Sequence, residues 1–166
     1  MQTARRNIGM KLYHGTNVEF DRILLSKCRP NKDFGRGFYL TDIRSQAREQ
    51  AIRRCEFEGS GTPVVQEYQF DVNLLKSQEL NVKKFDGVSS EWAEFILQNR
   101  MAHGRRMHEY DIVVGPIADD GVVYQLNLYM QRLISLETLV RELTYRLLNN
   151  QYFFGSEKSI NLLQRV

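Results

Sequence analysis

The chain has 166 residues, of which 42% are hydrophobic and 26% are charged, and its formal net charge is +3. These fractions are those of a globular domain and exclude a disordered chain, collagen and a coiled coil. No apolar run reaches the ~18 residues that a membrane span needs, and no apolar stretch follows Arg5 and Arg6 as it would in a secretory signal.

The length predicts a single domain, which we expect to comprise residues 10–166, preceded by a flexible leader over residues 1–9. In chain order the predicted elements are strands at 11–13 and 38–41, a helix from 43 to about 57, strands at 64–72 and 79–82, a helix at 90–100, a strand at 111–117, helices at 122–133 and 135–147, a strand at 151–154 and a terminal helix from 156. Strands and helices do not alternate as regular βαβ units, which favours an α+β fold.

Several local signals fix these boundaries. Thr41 or Asp42 is predicted to cap the first helix, and Ser89 or Ser90 the second. The inner face of the first helix is predicted to comprise Ile43, Ala47, Ala51, Ile52 and Cys55. The terminal helix is predicted to begin after Ser156 and to pack through Ile160 and Leu163.

The cysteines and histidines do not have the spacing of a metal site. Only Cys28 and Cys55 are present, which is too few for a disulfide framework and predicts a reducing, cytoplasmic compartment. The three histidines, His14, His103 and His108, do not cluster with them, so no metal is predicted. The basic stretch at 100–108 is either a solvated loop or an edge that holds a phosphate or another charged target.

Glycines at Gly35 and Gly37 lead into an aromatic strand. Glycine lets the backbone come close to a flat group, so this turn is a candidate ligand contact. The element lacks the third glycine of the dinucleotide fingerprint, and its glycines precede the strand, so it does not indicate a Rossmann or P-loop site.

Three strings, LYHGT (12–16), GRGFYLTD (35–42) and QYFF (151–154), together resemble the ADP-ribosyltransferase fold. The resemblance is to the branch that includes poly(ADP-ribose) polymerases and diphtheria toxin. Residues 111–120 (DIVVGPIADD) and 149–163 (NNQYFFGSEKSINLL) look like a bacterial family of domains of unknown function, numbered 3990, that is grouped with these transferases. The resemblance implies a split antiparallel β-sheet core with flanking helices.

The resemblance implies an enzyme that cleaves the nicotinamide–ribose bond of NAD⁺ as co-substrate, without a metal, and transfers ADP-ribose to a protein or nucleic acid. Such a transition state is oxocarbenium-like, so the protein mainly has to orient the donor and stabilise positive charge. By resemblance, His14 binds ribose, the Gly15 backbone binds the nicotinamide carboxamide and the Tyr39 ring lies against nicotinamide. The remaining positions implied to contact NAD⁺ are Thr16, Gly37, Phe38 and Ala47.

The third catalytic position is usually Glu in this branch and matches Gln151 here. An amide can hydrogen-bond ribose but cannot act as a base, which favours single ADP-ribose transfer, NAD⁺ hydrolysis or an inactive site over polymer elongation. Glu157, six residues further on, is the alternative third residue. The second stacking position, eleven residues after Tyr39, is Gln50.

The residues leave other interpretations open. His14 can be a satisfied turn histidine and Tyr39 a core aromatic. Two functional alternatives are a non-catalytic NAD⁺ or ADP-ribose binding module and an NAD⁺-dependent RNA 2′-phosphotransferase. The latter needs a basic cleft, for which Arg36, Arg105 and Arg106 are the candidates. The resemblance also suggests a toxin-like bacterial enzyme that a neighbouring protein, such as an antitoxin, regulates.

Overall fold

One mixed sheet organises the computed structural model of the chain, which describes residues 9–144 and 148–166. Within these residues the strands are β1 (Gly9–Thr16), β2 (Phe38–Thr41), β3 (Val64–Asp71), β4 (Val82–Lys84), β5 (Ile112–Pro116), β6 (Asn150–Phe154) and β7 (Gln164–Arg165). The helices are α1 (Arg44–Glu58), α2 (Ser90–Arg100), α3 (Asp120–Met130), α4 (Leu136–Thr144) and α5 (Glu157–Ile160). Short 3₁₀ turns cover Leu25–Lys27 and Val72–Lys76.

The strand order is β4-β5-β6-β2-β1-β3-β7. Only β4 and β5 pair in parallel; the other described pairs are antiparallel. The prediction of a mixed fold around a mostly antiparallel sheet is therefore confirmed. None of the described helices is long and apolar enough to cross a membrane.

The ladder is uneven at the centre of the sheet. β1 pairs with β3 along its whole length, from Gly9 opposite Asp71 to Thr16 opposite Val64. Between β1 and β2, in contrast, the described register contains one pair, Tyr13 opposite Thr41. The sheet is therefore weakly joined where the carboxyl end of β1 passes the start of β2.

The two faces of the sheet bury separate aromatic cores. On β2 the side chains alternate, so Phe38 and Leu40 enter one core and Tyr39 packs against the other. The core on the Tyr39 side includes Trp92, and α2, α3 and α4 cover it. The opposite core includes Phe154 and is covered by loops and α5.

The helix ends follow from local chemistry. The Ser89 hydroxyl accepts a hydrogen bond from the Trp92 backbone at the start of α2, as predicted. Ser156 and Ser159 form a capping box at α5. Gly59 ends α1 with φ of 66°, a left-handed conformation in which glycine carries no steric penalty.

Some predicted boundaries differ from the structure. β1 begins at Gly9, inside the predicted leader, whose other residues lie outside the described part. Thr41 does not cap α1: its hydroxyl accepts a hydrogen bond from the backbone N–H of Ile43, which itself stands at the N-cap. Ile52, predicted to face the core, is 37% exposed because α1 packs on the sheet through Ala47 and Ala51.

Further differences concern short elements. The predicted strand at 79–82 is the strand Val82–Lys84, and the terminal helix ends at Ile160, before Leu163. β7 was not predicted, because two residues give no periodicity to detect. The end of the helix predicted over 135–147 lies outside the described residues.

Candidate functional site

A cavity opens where β1 and β2 separate. Its volume is about 260 Å³, and it is lined by five of the predicted site residues: His14, Thr16, Gly37, Phe38 and Tyr39. We call it the imidazole cavity. Ile23 and Leu24, from the segment that connects β1 to β2, complete its apolar wall.

His14 joins the two separating strands. Its Nδ1, on β1, lies 2.7 Å from the carbonyl oxygen of Tyr39, on β2. Because a carbonyl only accepts, Nδ1 carries the proton and Nε2 is an acceptor. Burial lowers the pKa of His14 to about 4, so the ring is neutral at pH 7.

Nε2 of His14 has no hydrogen-bond partner among the described residues. Every buried side-chain nitrogen or oxygen in that part of the chain does have a partner, so Nε2 is accessible, and His14 lines the imidazole cavity. The Phe38 ring lies 4.2 Å from the imidazole, centroid to centroid, and fixes its orientation. A neutral, oriented acceptor is suited to a hydroxyl group of a ligand.

The Tyr39 hydroxyl positions a loop. It donates to the Gly35 carbonyl at 2.7 Å and accepts from the Phe34 backbone at 2.9 Å. Burial raises the pKa of this phenol well above its usual range, so it stays protonated. The Lys32 ammonium lies 4.5 Å from the centre of the Tyr39 ring, on a face that suits a cation.

The polar rim of the imidazole cavity is basic. Its cations are Arg22, Lys27, Arg29, Lys32 and Arg54. Glu58 pairs with Arg29 at 2.7 Å and with Arg54 at 3.1 Å. Among the described residues no carboxylate forms an ion pair with the other three, and burial together with neighbouring cations lowers the pKa of Lys32. An anionic ligand would relieve this repulsion.

Two predicted ligand contacts instead pack against each other. A Cβ on Gly15 would lie 1.9 Å from the Ala47 carbonyl oxygen, so the absent side chain makes room for α1. Neither residue lines the imidazole cavity. Gly37 lines it, but a Cβ there would lie 2.2 Å from Cε2 of Phe153, so the flat group that this glycine accommodates is a core ring.

The remaining predicted contacts have structural partners as well. The Thr16 hydroxyl donates to the Val18 carbonyl at 3.1 Å and shapes the turn after β1. Gln50 is exposed on α1 and leaves no aromatic wall at the second stacking position.

Gln151 lies outside the imidazole cavity, on the Tyr39 side of the sheet. It stands opposite Thr41 on β6, and its Nε2 donates to Oδ2 of Asp33 at 3.1 Å. Glu157, the alternative third residue, is exposed in the first turn of α5 and does not line the cavity. His14 and Tyr39 thus line the same cavity, and neither candidate for the third position lines it.

Sequence patterns did not identify Asp33 as a residue of the candidate site. Its Oδ1 pairs with Arg100 at 2.5 Å, and its Oδ2 accepts from Gln151. Asp33 lies next to Lys32, which lines the imidazole cavity. Its contacts span 67 and 118 positions of the chain, so no local pattern could have indicated them.

The contact with Asp33 predicts the effect of restoring the usual residue at position 151. Gln151→Glu places two carboxylates at hydrogen-bond distance, so we expect it to lower the free energy of unfolding by about 1–3 kcal/mol. Adding Asp33→Asn supplies an amide donor again. The free energy of unfolding lost in the double variant should be about 1 kcal/mol smaller than the sum of the losses in the two single variants. Urea unfolding of all three variants measures this coupling. Gln78→Glu, on an exposed loop, is the matched control; additive losses would contradict the contact.

The low pKa of His14 predicts a pH dependence of stability. In the unfolded chain the imidazole takes up a proton below its ordinary pKa of 6.5, whereas in the folded chain it does so only near 4. The unfolded state therefore binds more protons in this window, and stability falls as the pH drops from about 6.5 to about 4. Urea unfolding near pH 7 and near pH 4.5 should show a smaller difference for His14→Gln than for the unaltered chain. Equal differences would show that His14 titrates normally.

The fold defines a mixed α/β domain with a mostly antiparallel sheet and a cavity at its central split. Residues 10–165 match the family described as "Protein of unknown function (DUF3990)". The chain belongs to this family, which confirms that part of the resemblance. No curated protein and no solved structure matches the chain.

Proposed function

We propose that this protein is an NAD⁺-dependent mono-ADP-ribosyltransferase that acts on a macromolecular acceptor. The observation that carries the proposal is the oriented, neutral imidazole of His14, which lines a cavity rimmed by cations. A dinucleotide carries ribose hydroxyl groups and a diphosphate, and these are the groups for which the two features are suited. The resemblance of the strings around His14 and Tyr39 to the transferases supports the same assignment.

The fit to NAD⁺ is partial. Ligand pockets usually enclose about 300–1,000 Å³, and the imidazole cavity, with about 260 Å³, is slightly smaller. It therefore suits one nucleoside half and the diphosphate, with the other half on the surface. Lys32 would move from the Tyr39 ring to the diphosphate, which frees an aromatic face for the positively charged nicotinamide.

In the proposed reaction, the bond between nicotinamide and the ribose C1′ breaks, and its electron pair leaves with nicotinamide. His14 Nε2 accepts a hydrogen bond from a ribose hydroxyl and holds the sugar in place. A nucleophile of the acceptor forms the new bond to C1′, and its proton is released to water. The transition state carries positive charge on the ribose, and polar groups oriented before the reaction contribute most to stabilising it.

The amide at position 151 favours transfer of a single ADP-ribose group over polymer elongation. This amide cannot deprotonate a growing polymer, and the nearby carboxylate of Asp33 is held by Arg100. Hydrolysis of NAD⁺, with water as acceptor, is the expected side activity. A cytoplasmic location, a toxin-like role and a regulatory or antitoxin partner remain part of this proposal.

The test is incubation of the protein with NAD⁺ labelled in its adenylate part, together with a bacterial lysate. We expect released nicotinamide and label on macromolecules, and digestion with nuclease or protease then identifies the acceptor class. Heat-treated protein is the control for chemical glycation. Absence of both nicotinamide release and label would overturn the proposal.

The alternative is a binding module of the same architecture without turnover. The pairing of Asp33 with both Arg100 and Gln151 favours it, because no free carboxylate is then near the sugar among the described residues. Calorimetry that shows NAD⁺ or ADP-ribose binding while nicotinamide release is absent would support this alternative.

A further inference from the structure

A second basic cavity lies on the other side of the loop that lines the imidazole cavity. Its volume is about 230 Å³. Residues of the segment 24–37 alternate between the two: Arg29 and Lys32 line the imidazole cavity, whereas Asn31 and Arg36 line the second one. Arg105, Arg106 and His108 complete the second cavity, which we call the arginine cavity.

The three arginines of the arginine cavity converge from distant parts of the sequence. Arg36 precedes β2, and Arg105 and Arg106 follow α2. No acidic residue is among the described residues that line the cavity. The nearest carboxylate contact is that of Arg106, whose Nε lies 3.6 Å from the exposed Glu109.

One nitrogen of each guanidinium is already fixed by a backbone carbonyl. Nη1 of Arg36 donates to Cys28, Nε of Arg105 to Ala102 and Nε of Arg106 to His108, at 3.0, 3.2 and 2.8 Å. A guanidinium has five N–H donors, so most of them stay unused by the described residues. Side chains oriented in this way lose little entropy when an anion binds.

Hydrogen bonds also hold the walls of the arginine cavity in place. The Asn31 side chain accepts a hydrogen bond from the Gly104 backbone at 2.8 Å and thereby ties the loop to the turn after α2. His108 bonds the Phe34 carbonyl through Nε2 and the Tyr110 backbone through Nδ1. Burial lowers the pKa of His108, so the ring is a neutral wall and the arginines supply the positive charge.

We infer that the arginine cavity binds a phosphate monoester, as found on a nucleotide or at a phosphorylated nucleic-acid end. Arginine forks match the geometry of phosphate oxygens in a bidentate manner, and a dianion balances most of the charge of three guanidinium groups. The cavity is large enough for a phosphate and part of the attached sugar. Because one loop separates the two cavities, a ligand held here lies beside the imidazole cavity.

The test measures phosphate binding without NAD⁺, so its result does not depend on the proposed transferase activity. Calorimetry compares uridine 5′-monophosphate with uridine, which lacks the phosphate, and with inorganic phosphate. We expect the monophosphate to bind and uridine not to bind. Arg36→Gln and Arg105→Gln should each weaken binding by about tenfold, the value of one charge-assisted contact.

Arg48→Gln is the matched control: Arg48 is exposed on α1 and does not line the arginine cavity, so the variant removes the same charge outside the site. In amide NMR spectra, shifts of Gly35, Gly104 and His108 should accompany binding and mark the site. Tighter binding of a 5′-phosphorylated oligouridylate than of the mononucleotide identifies nucleic acid as the source of the phosphate, and equal binding identifies a small phosphorylated molecule.

Three results would overturn the inference. The first is the absence of binding by all phosphorylated probes. The second is an equal loss of affinity in the Arg48→Gln control, which would indicate a general charge effect. The third is equal binding of 5′-hydroxyl and 5′-phosphorylated oligouridylate.

Discussion

Replacing His14 with alanine is expected to lower the rate of nicotinamide release by at least about 100-fold, the effect of removing one polar group oriented before the reaction. The variant loses the acceptor Nε2 and also the bond from Nδ1 to the Tyr39 carbonyl, which is the side-chain link between the separating strands. Initial rates at saturating NAD⁺ measure the effect on the reaction itself. Tyr39→Ala is expected to abolish activity in the same assay, because the Phe34–Gly35 loop loses its anchor.

The control for His14→Ala is His103→Asn. His103 is exposed, has a left-handed φ of 52°, which asparagine tolerates, and lines neither of the two cavities. It should retain full activity. Far-ultraviolet circular dichroism and urea unfolding show whether His14→Ala is folded, and a folded variant with unchanged activity would exclude a role of His14 in the reaction.

Replacing Gly15 with alanine is expected to lower the free energy of unfolding by about 3 kcal/mol or more, at the upper end of overpacking effects. The new Cβ would lie 1.9 Å from the Ala47 carbonyl oxygen and 2.9 Å from the Ala51 backbone nitrogen. Both atoms belong to the backbone of α1, so the clash cannot be relieved by a side-chain rotation. The helix has to move away from the sheet.

Gly87→Ala is the matched control, because nothing lies within 4 Å of a Cβ at that position and its φ is not left-handed. Its stability should be unchanged or slightly increased, since alanine restricts the unfolded chain. Urea unfolding of both variants gives the comparison. A Gly15→Ala variant as stable as Gly87→Ala would mean that α1 does not pack on β1 as described.

Sequence patterns predicted the larger elements because these have a clear period. The alternation in β3 and the serine cap of α2 are local signals, and both lie where expected. The prediction that Ile52 faces the core was wrong, because amphipathic spacing does not show how closely a helix approaches a sheet. Here Gly15 allows an approach through Ala47 and Ala51, and Ile52 is left at the edge.

The candidate site was predictable only in its local parts. His14 and the Gly37–Tyr39 segment line one cavity, whereas Gln151, which the resemblance grouped with them, does not. The contact between Asp33 and Gln151 depends on side chains 118 positions apart and has no signature in either segment. The structural role of Gly37 could not be predicted either, since a sequence does not distinguish a glycine that makes room for a ligand from one that makes room for the Phe153 ring.

The four residues of β2 have a mechanical consequence. Phe38 and Tyr39 are consecutive in the chain, yet each packs into a different core. A displacement of this dipeptide would disturb the packing of both cores at once, so we expect the two cores to unfold together. The protein should lose its structure in one calorimetric step, and a ligand that restrains Tyr39 should raise the melting temperature of the whole chain.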